Sequence, residues 1–260
     1  MKKASLQIHI AQFSSTNGEP LKTLKRAQSL VAKTQVRPND WWVFPEMWPA
    51  GFRLEDRARQ ARENKACQAW LQDYARRQRC FMVGSMLEVA QGKTYNSAYL
   101  MDPKGRLLKN YRKIHLFQLG DEHRKFAPGK SEAFHRFSWG GLGLGICYDL
   151  RFPELFRLYS KMGAKLILLP SAWPKERLPH FLSLLQARAI ENQCFIVGAN
   201  KIGHHDSGIR YGGHSVVFGP WGEKLGELGS RAGILSVRLD MSHLEAVRKN
   251  YPFLNSRILA

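Results

Sequence analysis

Short apolar runs of strand length recur along the whole chain, separated by polar stretches with helical spacing. LQIHIAQF (6–13), WWVFPE (41–46), CFMVGSMLEV (80–89), KLILLPSAW (165–173) and CFIVGAN (194–200) read as strands. Residues 21–36, 64–78, 151–162 and 181–192 read as helices. Hairpins are mixed in, with Asp102-Pro103-Lys104-Gly105 and Gly219-Pro220-Trp221-Gly222 as their turns. Residues 134–146 add two strands, and GILSVRLD adds another before a short C-terminal helix and tail. The stretch 203–213 is rich in Gly, His, Asp and Ser and reads as an exposed loop. No linker, composition break or internal repeat divides the pattern. The expectation is therefore one α/β domain over 1–260, built of sheets covered by helices.

Charge and cysteine usage narrow the function. The net charge is +19, spread along the chain rather than gathered in a tail. Such a balance suits a solvated surface or the steering of an anionic substrate. No RNP aromatic motif, zinc finger or GxxG clamp accompanies it, so nucleic acid is not the expected partner. Cys67, Cys80, Cys147 and Cys194 form no CxxC pair, which argues against a zinc site and a disulfide framework. His204-His205-Asp206 is weak grounds for a metal site, and none is expected. The glycines of GGLGLG lie within a strand, not at the opening of a helix, and match a dinucleotide fingerprint poorly. No cofactor is expected. MKKASLQIHIAQF alternates like a strand and lacks a long apolar core, and no run is long enough to span a membrane. Together these features suggest a cytoplasmic protein.

Three segments place a reactive side chain just after a strand, where a rigid scaffold opens to solvent. In GLGLGICYDLRFPEL, Leu142, Leu144 and Ile146 alternate with glycines, as in a buried strand that other groups approach closely. Cys147 then falls on a strand-to-helix turn, with Asp149, Arg151, Pro153 and Glu154 opening the helix. A helix N-terminus and nearby cations would depress its thiol pKa. Glu46 follows a strand in VFPEMWPAGF, and Lys113 follows one in NYRKIHLF.

VFPEMWPAGF, YRKIHLF and GICYDLRFPEL, in this order, resemble the three signature blocks of the nitrilase superfamily, the carbon–nitrogen hydrolases. The resemblance continues through FAPG (126–129), LPSAW (169–173), ARAIENQCFIVGAN (187–200) and GHSVVFGPWGE (213–223). Within the superfamily the chain is most similar to the ω-amidase-like branch. The resemblance implies a four-layer α-β-β-α sandwich and a homodimer. It also implies a Glu–Lys–Cys triad, with Cys147 as nucleophile, Glu46 as general base and Lys113 as the cation that stabilises a tetrahedral intermediate. Glu122, in LGDEHRKFAPG, matches a second glutamate that would keep Lys113 protonated and oriented. The backbone N–H of Tyr148 would help to hold the oxyanion.

Two further residues stay open between two roles. Arg151 could hold a substrate carboxylate or pair with Glu154 or Asp149. Trp173 could wall the pocket or pack in the core. Arg188, Glu191, Asn192 and His214 read as structural. The substrate implied is a small ω-amide with a distal carboxylate, such as α-ketoglutaramate. Nitrilase, N-carbamoyl hydrolase and deaminated-glutathione amidase activities are alternatives within the superfamily. A non-enzymatic, nucleic-acid-associated role is the alternative outside it, and the retention of all three triad residues argues against that role.

Overall fold

The computed structural model describes residues 5–205 and 207–258. Its first half runs β1 (Ser5–Gln12), α1 (Pro20–Val31), β2 (Trp41–Val43), α2 (Arg57–Gln78), β3 (Phe81–Ala90), β4 (Lys93–Met101), β5 (Leu107–Arg112) and α3 (Glu122–Lys125). Next come β6 (Ala133–Phe137), β7 (Gly140–Leu144), α4 (Pro153–Lys161), β8 (Ala164–Ser171), α5 (Leu178–Asn192) and β9 (Phe195–Asn200). The chain closes with β10 (Ile202–His204), β11 (Arg210–Gly212), β12 (Val216–Phe218), β13 (Lys224–Glu227), β14 (Gly233–Asp240) and α6 (Met241–Asn250).

Two six-stranded sheets result, ordered β14-β1-β2-β3-β4-β5 and β13-β12-β9-β8-β7-β6. At the centre of each, three strands run parallel: β1, β2 and β3 in one, β7, β8 and β9 in the other. Strand periodicity decides which side chains face which layer. Ile8, Trp41 and Phe81 stand in register, as do Ile10, Val43 and Val83, and these join the core shared with the second sheet. Trp42 and Met82 point the other way, into a separate core under Ala27 and Val31 of α1 and Cys67, Leu71 and Ala75 of α2. On the far side of the second sheet, Leu155, Phe156 and Tyr159 of α4 and Phe181, Leu185 and Ala189 of α5 are buried. The layers are therefore helix, sheet, sheet, helix, the sandwich that the signature blocks implied.

The glycines of β7 serve this layering. A Cβ at Gly143 would stand 2.6 Å from the Tyr159 ring, and one at Gly141 would stand 2.3 Å from the Phe134 ring. Mostly it is aromatic rings that use the space, although the Gly163 carbonyl also comes within 2.9 Å of the Gly141 position.

Several boundaries differ from the sequence expectation. α1 stops at Val31 rather than residue 36, with the Ala32 N–H closing its last turn on the Gln28 carbonyl. α2 starts at Arg57, because the Asp56 carboxylate caps it by accepting from the Arg59 N–H. The 203–213 stretch is not a plain loop. Ile202–His204 and Arg210–Gly212 pair as a hairpin, and the Gly212 N–H donates to the Trp173 carbonyl at 2.9 Å. Among the described residues no helix is long and apolar enough to cross a membrane.

Tyr159 ties α4 to the second sheet. Its buried hydroxyl accepts from the Ala133 N–H at 3.0 Å and donates to the Leu144 carbonyl. Tyr159→Phe leaves both backbone groups without that partner. The variant should lose about 1–3 kcal/mol of stability in urea titrations, with an unchanged slope. A loss below about 0.5 kcal/mol would show that the hydroxyl bridge carries little.

Candidate active site

The carboxyl ends of the parallel strands converge at one end of the sandwich. After β2 the Phe44 N–H still donates to the Val83 carbonyl at 2.7 Å. Pro45 then removes a ladder donor, and the Glu46 N–H turns to the Ser171 carbonyl of the other sheet at 3.2 Å. Lys113 prolongs β5, its N–H donating to the Asn96 carbonyl at 2.9 Å. Cys147 follows β7 in a left-handed conformation, with φ +45°, and Met47 beside Glu46 has φ +44°. Both are strained positions for a residue with a side chain, and both stand next to charged groups.

Asp149 fixes the turn that carries Cys147. Its Oδ2 accepts from the Ile146 N–H at 2.8 Å and the Tyr111 hydroxyl at 2.7 Å. Its Oδ1 meets the His115 N–H at 3.1 Å and His115 Nδ1 at 2.7 Å. From α5, Arg188 donates to the Leu150 carbonyl at 3.0 Å, so this arginine is structural, as its sequence suggested. The turn itself is 3-10 helix over Cys147–Arg151, and α4 begins only at Pro153. Cys147 therefore does not sit at the N-terminus of an α-helix.

The charges around it are dry. Glu46 and Lys113 are each 1% exposed and Glu122 is 4% exposed. Lys113 Nζ donates to Glu46 Oε1 at 2.7 Å and to both Glu122 oxygens, at 2.9 and 2.8 Å. Asn96 Nδ2 donates to the same Glu46 oxygen at 2.8 Å, and the Phe117 N–H donates to Glu122 Oε2 at 2.7 Å. Burial disfavours the Lys113 ammonium, but Glu122 and Glu46 outweigh it and hold its proton well above the usual lysine range. Burial also raises the Glu122 carboxyl, against the pull of Lys113.

The thiol departs from the sequence expectation. Burial first, and then the negative charge of Glu46, push Cys147 well above the usual thiol range. Lys113 and a backbone hydrogen bond from Ala172 oppose this without reversing it. The resting group is thus a neutral thiol held in the field of Glu46. Cys67, Cys80 and Cys194 are buried thiols pushed up to about 12, remote from any such cluster.

A cavity of about 270 Å³ opens on this cluster. All seven residues singled out in the sequence line it: Glu46, Lys113, Glu122, Cys147, Tyr148, Arg151 and Trp173. Arg151 pairs with neither Glu154 nor Asp149. Its guanidinium lies 5.0 Å from the Trp173 ring centroid and meets His180 Nδ1 at 3.4 Å. Trp173 serves both expected roles, facing the cavity while packing on Phe181 and donating its Nε1–H to the Arg177 carbonyl at 2.7 Å. The sequence reading missed Arg177, whose guanidinium lies 5.2 Å from the Phe117 ring centroid at the cavity wall, and Tyr211 of the unexpected hairpin. It also missed Asn96, inside β4, which no turn or strand end announces. His214 binds Glu227 at 2.6 Å and is structural. Among the described residues no group of three or more His, Cys, Asp or Glu side chains could hold a metal ion. Asp206, from the His204-His205-Asp206 stretch, lies outside the described residues.

Known proteins share this arrangement of elements. The carbon-nitrogen hydrolase family matches residues 4–249. A 2-oxoglutaramate amidase of Bacillus subtilis is 35% identical over 247 residues, covering 94% of this chain and 95% of that protein. The ω-amidase NIT2 of Danio rerio is 31% identical, covering 98% of this chain and 93% of that protein. Among solved structures, a CN-hydrolase superfamily protein of Xanthomonas campestris with an arsenic adduct in its active site superposes with a TM-score of 0.91. It is 26% identical, and the match covers 99% of each chain.

The field of Glu46 on the thiol is directly measurable. Glu46→Gln removes a neighbouring negative charge, so Cys147 should ionise at lower pH. Iodoacetamide labelling of Cys147, followed by peptide mass spectrometry against pH, should shift its midpoint downward by at least about one unit. An unmoved or raised midpoint would show that Glu46 does not hold the thiol proton.

Proposed function

The chain belongs to the carbon–nitrogen hydrolase family, and on that premise we propose that it is a thiol ω-amidase. It releases ammonia from small ω-amido acids of the α-ketoglutaramate type. The observation that carries the reading is the buried cluster in which the Lys113 ammonium donates to Glu46 and Glu122 on the wall of the cavity that Cys147 also lines. An unactivated amide needs a strong nucleophile, a charge for the oxyanion and a proton for the nitrogen, and this cluster contains all three.

The thiol of Cys147 gives its proton to Glu46 as sulfur attacks the amide carbon. Lys113 and the Tyr148 N–H stabilise the oxygen that becomes negative. Glu46 then passes the proton to the nitrogen, the C–N bond breaks, ammonia leaves, and an acyl thioester remains on Cys147. Water, deprotonated by Glu46, attacks the thioester. Collapse returns the thiol and frees the carboxylate. Glu122 touches no reacting atom; it holds Lys113 in place.

Substrate choice rests on the cavity's cations. Arg151 lies on Trp173, and Arg177 lies beside Phe117 with no carboxylate partner among the described residues. A planar guanidinium held on a ring suits a carboxylate at a fixed distance from the scissile amide. Anchoring there converts binding into alignment at Cys147. The similarity to the 2-oxoglutaramate amidase and to NIT2 points to the same acyl class.

We also propose that two copies pair. Trp221, Tyr251 and Phe253 are exposed yet touch one another, with centroids 4.4 to 6.3 Å apart. Ile190 of α5, also exposed, is close enough that a Cβ on Gly222 would stand 2.5 Å from it. An apolar surface of this kind suits burial against its own copy.

Ammonia release from α-ketoglutaramate should exceed that from a neutral amide of similar length. Arg151→Leu should reduce that preference by about 10- to 100-fold, the scale of a lost charged hydrogen bond. Cys147→Ala should show no turnover and no acyl adduct. Equal wild-type rates on the two amides would refute carboxylate selection, and turnover by Cys147→Ala would refute the thioester. Sedimentation should report twice the 29.8 kDa chain mass, falling to one copy in Trp221→Glu. A monomeric wild type would refute the pairing.

A further inference from the structure

β9 ends at Asn200, and the next residue buries a second ammonium at the same end of the sandwich. Lys201 is 1% exposed, and it forms no ion pair among the described residues. Its Nζ donates to Ser15 Oγ at 2.7 Å, and the Ser15 hydroxyl donates onward to the Trp48 carbonyl at 2.8 Å, two residues past Glu46. A Cβ on Gly51 would stand 3.9 Å from that Nζ, so the turn carrying Glu46 folds over it. On its other side the ammonium lies 5.2 Å from the centroid of Tyr211, a ring that lines the cavity.

A lysine buried without a carboxylate is costly, and mutation to a neutral residue normally relieves that cost. The catalytic cluster supplies a reason to keep it. With Glu46 and Glu122 ionised and Lys113 protonated, the cluster carries one more negative charge than positive. The excess persists through the proposed reaction. When the thiol proton moves to Glu46, the oxyanion takes up the negative charge that Glu46 gives up.

We propose that Lys201 is a second positioning cation of the active site. It neutralises the excess negative charge of the Glu46–Lys113–Glu122 cluster and, through Ser15, pins the turn that carries Glu46. The proposal rests on the assignment of Glu46 and Cys147 given above. It adds a residue that reaches neither substrate nor reacting atoms.

The charges that act on Lys201 come from Glu46, on the turn after β2, and Cys147, on the turn after β7, and the Tyr211 ring of β11 lies beside it. From the segment after β1 the Ser15 hydroxyl accepts from it, and the Asn17 side-chain oxygen stands by the same Gly51 turn. Burial pulls the ammonium down to about 8, while Glu46 and Cys147 favour keeping the proton. The cation is therefore present below about pH 8 and lost above it.

The test compares wild type, Lys201→Met and Lys201→Arg in the full-length protein, with thermal melts as a check that each variant folds. The wild-type kcat should fall through an alkaline limb near pH 8. Lys201→Arg, whose charge does not titrate there, should lose that limb while keeping turnover below it. Lys201→Met should lower kcat at neutral pH by about tenfold or more, with little change in KM, and should also lack the limb. Iodoacetamide labelling of Cys147 at neutral pH needs no amide turnover, so it separates this proposal from the ω-amidase reading. Labelling should be several-fold slower in Lys201→Met, because a nearby cation favours the thiolate. An alkaline limb unmoved in both variants overturns the proposal, and so does equal labelling of Lys201→Met and wild type.

Discussion

The ammonium of Lys113, buried between two carboxylates, is the interaction on which the active end of this molecule depends. Each of the three charges alone would be costly at this depth, since removing one ion from water costs several kcal/mol even after relaxation. Together they satisfy one another at 2.7 to 2.9 Å. The cluster also decides where chain segments go. Glu46 follows β2, Lys113 prolongs β5, and Glu122 belongs to the short α3, whose approach is fixed by the Phe117 N–H on its carboxylate. The second sheet joins through Ser171, which accepts the Glu46 N–H, and through the turn that presents Cys147. Packing brings the two sheets face to face, and the hydrogen bond from the Glu46 N–H to the Ser171 carbonyl ties them together at this end.

The same charges determine the state of the thiol. A site with only Lys113 near the sulfur would favour a thiolate. Burial and Glu46 together reverse the balance, so the proton stays on sulfur at rest. The left-handed backbone at Cys147 and the four contacts of Asp149 hold this arrangement against a relaxed turn. Strain and charge are thus concentrated in a few residues, while the strands behind them are regular and apolar.

Much of this was legible in the chain. The parallel strands show as apolar runs, and a charged or thiol side chain directly after such a run is visible without any structure. That is why Glu46, Lys113 and Cys147 stand out, and why Arg151 and Trp173 follow from their neighbourhoods. The misses have physical causes. Asn96 lies mid-strand, where its side chain reads as an ordinary strand residue. Arg177 and Lys201 are single cations in a chain with 40 Lys and Arg, and only burial or stacking distinguishes them. The β10–β11 hairpin hides in a glycine-rich stretch, because its pairing is so short. The thiol was misjudged because burial, which no local pattern reveals, outweighs the nearby cation.

The neutral thiol bears on how such a protein survives oxidants. Peroxide and other electrophiles attack thiolates that are exposed, and the reaction begins a ladder whose upper steps cannot be reversed. Cys147 is 8% exposed and keeps its proton at rest. In the proposed mechanism its reactivity is conditional: it waits for an amide carbonyl that can accept the displaced charge. A nucleophile activated in this proposed way by its own substrate is shielded from small oxidants between turnovers, and the shielding arises from the carboxylate assigned to start the reaction.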